Sequence, residues 1–195
     1  MARTKEFDPA VALDAAMRLF WRKGYEATST GDLVAELGIA RASLYGTFGS
    51  KHQLYLAALE RFIDAGVTPS AADVLASHES ALAAIRSLLE TSIIRPAADG
   101  PAGCFAVNAT VEHGDDDPEV SRRLEVNRRR LETALHSALL RAHAQGELAD
   151  GVDPRAGAAM LVAVNTGLKV LARAGEGQND RIRSAIDATV SALAA

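Results

Sequence analysis

The chain has 195 residues, enough for one large or two small domains around a substantial buried core. With 48% apolar residues it is not a disordered chain, and a formal charge of −4 gives it no bulk attraction to nucleic acid. A lone cysteine, Cys104, excludes an intrachain disulfide and fits a reducing cytoplasm.

The opening "MARTKEFDPA" lacks the apolar core of a secretory signal, and the longest nearly apolar run, 156–168, is too short to span a bilayer. The chain is therefore expected to be a soluble cytoplasmic protein with no membrane contact. Its 17 arginines against 4 lysines hint at a GC-rich bacterial genome. Residues 1–60 carry seven basic and seven acidic side chains, so any nucleic-acid contact must come from local placement of charge.

Asp8-Pro9 predicts a helix start, with Asp as N-cap and Pro in the first turn, and Gly24 predicts its end. A second helix is expected from an N-cap at Thr30, with Leu33, Val34 and Leu37 as its buried face and Gly38 as its stop. A third runs over about 41–48. Ser50 and Gln53 have capping-box spacing and open a fourth, whose apolar stripe of Leu54, Ala57, Ala58 and Phe62 fades at Gly66. The segment "GVTPSAADVLAS" reads as loop or a short irregular helix. Further helices are expected over 79–93, ended by Arg95-Pro96, and over 104–112, after the loop "AADGPAG". Asp117-Pro118 and Asp153-Pro154 start two more, reaching about 146 and 174, and a last helix covers 180–193. No strand pattern and no internal repeat occurs. The fold class is all-α.

The second and third helices and the glycine turn between them have the layout of a helix-turn-helix. In that arrangement Leu44 and Phe48 pack inward against Leu33, Leu37 and Phe20, while Arg41, Ser43, Tyr45 and Thr47 face outward. Arg41 can reach a phosphate or a guanine edge, the hydroxyls can donate to phosphates or bases, and Lys51 can meet a backbone phosphate. The spacing alone also fits a plain helical hairpin with a polar outer face.

The stretch "GYEATSTGDLVAELGIARASLYGTFGSKHQLYLAAL" resembles the N-terminal domain of TetR-family transcriptional regulators over roughly residues 8–60. The glycine turn, Leu-Tyr-x-x-Phe, Ser-Lys and the following leucine stripe occur in it together. The resemblance implies a three-helix DNA-binding domain at 1–50 and a helical ligand-binding and dimerisation domain at 51–195. It also implies that Thr30, Arg41, Ala42, Ser43, Tyr45, Thr47 and Lys51 stand where family members touch double-stranded operator DNA. Two positions depart from the family pattern. Ile39-Ala40 stands where a hydroxyl residue is often found, and Gly46-Thr47 replaces a frequent aromatic-histidine pair, so the operator sequence stays unassigned.

In the remainder, Ala158, Ala159, Leu161, Val162, Val164, Leu168 and Leu171, with Ile182, Ile186, Val190 and Leu193, form either a two-fold dimer interface or an intrachain core. In "GCFAVNATVE", Cys104, Asn108 and Glu112 share one helical face. Gly103-Cys104 with Asn108 resembles a TetR-family subgroup in which some members sense electrophiles or oxidants through cysteine. A helix N-terminus makes a thiol more nucleophilic, but an unpaired cysteine is also a common small core residue. Candidate ligand contacts are Phe62, Cys104, Phe105, Asn108, Glu112 and Asn165. The two asparagines are either polar anchors in a pocket or satisfied buried amides.

No metal site and no cofactor are expected. His136 lies four residues after Glu132 and His113 precedes three aspartates, but neither has a third ligand, and both read as solvated. Arg122, Arg123 and Arg128–Arg130 share a helix with Glu119, Glu125 and Glu132, which favours an ion-paired surface over a second DNA site. The chain thus reads as a homodimeric repressor released from its operator by a small-molecule effector. A thiol-switched sensor using Cys104 is the alternative. A helical enzyme is a distant third reading, because no nucleophile-base pair, carboxylate dyad or phosphate-binding glycine loop is visible.

Overall fold

The computed structural model describes residues 7–64, 71–94 and 103–195. The expected stops at Gly66 and Arg95-Pro96 and nearly all of the "AADGPAG" loop lie outside these residues. Ten α-helices occur among those described: α1 Pro9–Lys23, α2 Thr30–Leu37, α3 Arg41–Phe48, α4 Lys51–Asp64, α5 Ala71–Ala76, α6 Ala81–Ile94, α7 Phe105–His113, α8 Pro118–Ala144, α9 Pro154–Arg173 and α10 Asn179–Leu193. A short 3-10 turn, Glu176–Gln178, precedes the last. The only bridge among the described residues is an isolated pairing of Leu148 with Ala194.

The helix starts follow from capping chemistry. Asp8, Asp117 and Asp153 each accept first-turn amides ahead of a proline. The N-cap of α2 is Ser29 rather than Thr30. Its hydroxyl accepts the Asp32 amide at 3.1 Å and the Asp32 carboxylate accepts the Ser29 amide at 2.8 Å. Asp32 thereby completes a reciprocal box that a cap at Thr30 could not make. The segment before α6, read as loop or irregular helix, holds α5, which buries Leu75. The N-terminus of α6 is capped from a distance, since Gln145 and Glu147 in the α8–α9 turn accept the amides of Ala81 and Leu82.

Two apolar cores result. The first joins α1–α4 to α7 and the start of α8, through Phe20, Leu33, Leu44, Tyr55, Phe105 and Leu124. The second joins α5, α6, the rest of α8, α9 and α10, through Ile85, Leu89, Leu139, Leu161 and Ile186. Helix α8, 27 residues and about 40 Å long at the usual rise, enters both.

Several residues read as candidates for a dimer face lie in the second core instead. Leu161, Leu168, Ile182, Ile186 and Leu193 are at most 3% exposed, because α9 and α10 turn these sides toward α6 and α8. The outer face of α9 carries Ala159, Met160, Ala163, Gly167 and Val170, all exposed.

Candidate nucleic-acid interface and effector cavity

Helix α2 ends at Gly38 in the left-handed conformation, and the chain turns through Ile39 and Ala40 into α3. No side chain caps α3, so its first amides are open to an external acceptor. Leu44 is 1% exposed and packs with Leu33, while Leu37 and Phe48 are partly buried against the same core. Arg41, Ala42 and Ser43 are exposed, and Tyr45 and Thr47 are half-buried.

Tyr45 is held from two sides. Its hydroxyl shares a 2.7 Å hydrogen bond with Thr30 Oγ1, and the Arg41 guanidinium carbon lies 5.6 Å from its ring centre. The Thr30 bond, opposed by partial burial and helped by the Arg41 charge, holds the phenol below its ordinary pKa. The Lys51 ammonium sits 4.2 Å from the ring centre of Tyr25, at the first residue of α4.

Among the described residues around this helix pair, three other cations are engaged internally. Arg22 pairs with Glu36 and Lys23 with Asp32, each at 2.7 Å, and Arg61 pairs with Asp14 at 3.0 Å. Arg41 and Lys51 instead lie over tyrosine rings, at the two ends of the segment that carries the outward polar face.

A second feature is a cavity of about 660 Å³ between α7, α8 and α9. Of the candidate ligand contacts, Cys104 and Asn165 line it. Asn165 is 4% exposed. The structure does not bring the other four to this wall. Phe62 and Phe105 stack edge-on in the first core with ring centres 5.8 Å apart. The Asn108 side-chain nitrogen is buried without a partner among the described residues.

Glu112 reaches across to the start of the chain's helix-turn-helix. Its carboxylate accepts the backbone N–H groups of Tyr25 and Glu26, at 2.9 and 2.8 Å, in the link between α1 and α2. Beside it, His113, read as solvated, is 8% exposed. Its ring centre lies 5.3 Å from that of Tyr25 and 5.0 Å from that of Tyr55, because α7 ends on the aromatic side of the first core. One residue group further, Asp117 accepts at the N-terminus of α8 and meets His52 Nε2 of α4 at 2.7 Å. Burial disfavours the Asp117 charge, but the Val120 amide, His52 and the Glu119 amide together hold its carboxyl below the ordinary value. Sequence spacing puts Glu112 on one face with Cys104, whereas in the structure Cys104 lines the cavity and Glu112 meets the α1–α2 link. The missed signal is Gly24, whose lack of a side chain leaves room for a distant carboxylate.

Within the arginine clusters of α8, Arg123, Arg128, Arg129 and Arg130 meet carboxylates, while Arg122 has no ion pair among the described residues. Arg128 meets Glu125 and Glu132, and Arg129 meets Glu125, at 2.6–2.7 Å. These contacts, Arg128 first, bring the Glu125 carboxyl down to about 2. Among the described residues no group of three His, Cys, Asp or Glu side chains is placed to hold a metal ion. No described helix is long and apolar enough to cross a membrane.

Comparison with known proteins gives a consistent result. Residues 12–58 match the family model described as bacterial regulatory proteins, tetR family. Residues 81–189 match that of the tetracyclin repressor-like C-terminal domain. The chain is 35% identical to the uncharacterized HTH-type transcriptional regulator YezE of Bacillus subtilis (strain 168), over 99% of this chain and 100% of that protein. It is also 35% identical to the HTH-type transcriptional repressor ComR of Escherichia coli (strain K12), over 89% of this chain and 83% of the relative. Among solved structures it is similar to the regulator CifR, a cysteine mutant bound to 26-base-pair operator DNA. The TM-score is 0.85 at 28% identity, with 98% of this chain and 100% of that one covered.

Proposed function

The chain belongs to the tetR family of bacterial regulatory proteins, and from that premise we propose that it is a DNA-binding transcriptional repressor released from its operator by a small molecule. The observation that carries this reading is the outward face of α3. Its half-buried Tyr45 is fixed by Thr30 and Arg41 beside Ala42, Ser43 and Thr47, with Lys51 one helix on. The similarity to an operator-bound regulator and to a named repressor supports it.

In this reading residues 1–50 contact DNA and residues 51–195 sense the effector and dimerise. The exposed small-residue and methionine face of α9, with the outer side of α10, pairs with its symmetry mate. Two copies of α3 then enter successive major grooves about 34–36 Å apart. An effector in the α7–α8–α9 cavity acts through α7, whose far end holds the α1–α2 link by way of Glu112. Preference of the effector for a dimer whose reading heads no longer match the groove spacing lowers operator affinity. The protein works in the cytoplasm as a regulator, not a catalyst.

Cys104 favours a second reading. The thiol lines the cavity, is half-buried and has no disulfide partner, so an electrophile or oxidant entering there would meet it. Cys104→Ser separates the two readings, since a variant that keeps its full response to oxidant rules out a thiol switch.

Footprinting on the DNA upstream of the protein's own coding region tests the main reading. Two protected half-sites one helical turn apart, lost on adding effector, are expected. Uniform, sequence-independent protection would overturn it.

A further inference from the structure

The cavity carries a charge pattern that restricts what enters it. Two of its charged lining residues, Glu125 and Arg128, are spent on ion pairs. Glu125 is held by Arg128 and Arg129, and Arg128 also meets Glu132, which makes a neutral group. The hydroxyls of Thr110, Thr166 and Ser121 donate to the carbonyls of Ala106, Val162 and Gly114, so they have no proton left for a ligand. Three charged lining residues, Lys169, Arg122 and Asp115, have no ion pair or hydrogen bond to any described residue. The unpaired balance is positive, in a chain whose total is −4.

The register of α8 on α9 locates the charge within the cavity. A Cβ on Gly157 would stand 3.0 Å from Leu139 Cδ1. The two helices are joined by a short turn and run antiparallel, so Asn127 lies level with Lys169 and Leu131 level with Asn165. Leu131 and Val162 therefore lie to one side of the Asn127–Lys169 level and Leu124 to the other, with Ala106 also on the lining.

We propose that this cavity binds an amphipathic organic anion. Its carboxylate is held by Lys169 with the Asn127 side chain, and its apolar body lies along Leu131 and Val162. The inference rests on the reading of this cavity as the effector site and names the chemical class of that effector. A charge-assisted hydrogen bond from a half-buried ammonium discriminates a carboxylate from its amide, which has the same shape and no charge.

Calorimetry on the DNA-free, full-length protein tests it with octanoate against octanamide and, as a bulkier pair, 2-naphthoate against 2-naphthamide. At least one acid is expected to bind ten-fold or more tightly than its amide. Lys169→Met should remove that difference while leaving amide binding and the melting temperature unchanged, and Lys169→Arg should keep it. Equal affinity for acid and amide, no binding of either acid in the millimolar range, or an undiminished preference in Lys169→Met would each overturn the proposal. Operator release is read in a separate assay. Acid binding without release upholds the anion preference and overturns the effector reading.

Discussion

The carboxylate of Glu112 occupies the space that a side chain on Gly24 would need: a Cβ there would stand 3.0 Å from Oε1. Gly24 also has φ 86°, a backbone conformation that L side chains rarely adopt. One glycine therefore ends α1, turns the chain and opens a seat for a carboxylate from α7. Removing the acceptor leaves the amides of Tyr25 and Glu26 without it. Glu112→Ala should lower stability by about 1–2 kcal/mol, read by urea denaturation. A change below about 0.3 kcal/mol would mean that water replaces the carboxylate without loss.

Arg41→Ala and Tyr45→Phe should each weaken operator binding with little effect on folding. Arg41 is exposed, and phenylalanine keeps the packed ring while losing the bond to Thr30. A lost base contact corresponds to about 1–3 kcal/mol, so a weakening of about five-fold or more is expected in a gel-shift titration. Unchanged retardation of the DNA by both variants would remove α3 as the reading helix.

Lys51→Ala should act differently. A phosphate contact carries no sequence information, so affinity should fall for all sequences and the slope of log affinity against log salt should flatten by about 1. A salt slope equal to that of the unaltered protein would argue against the contact.

The His52–Asp117 pair gives stability a pH dependence. The Asp117 carboxyl lies below its ordinary value of 3.8 in the folded chain, so the unfolded chain binds the proton first. Its stabilisation is present above that ordinary value and is lost as pH falls through the lower folded one. Asp117→Asn should cost about 1 kcal/mol near neutral pH. The difference from the parent should shrink as the solution is taken below the ordinary value. Chemical denaturation at several pH values reads this, and a cost that persists undiminished in acid would exclude ionisation as its cause.

Much of this fold is legible in the sequence because its helices carry local signals. Asp8-Pro9, Asp117-Pro118 and Asp153-Pro154 mark starts, and Gly24 and Gly38 mark stops, through chemistry that acts over a few residues. Leu44 and Phe48 are legible as the inner side of α3 because their spacing admits only one buried side. Ser29 was harder, since Ser29 and Thr30 are both good caps and only the reach of Asp32 separates them. The roles of Glu112 and His113 could not be read at all. Both depend on α7 ending beside Tyr25, a contact between residues more than eighty positions apart. The core side of α9 was equally hidden, because an apolar stripe packs as well against its own chain as against a copy. Periodicity places a residue on a helix face without saying what that face meets.

Helix α8 is a single rod set into both hydrophobic interiors, its Leu124 in one and its Leu139 in the other. Melting either half would strip one end of that rod of its partners while the other stays clamped. The two halves should consequently lose structure together, as one endotherm in a calorimetric scan, and force applied to either end of the rod is delivered to the other without a joint to absorb it.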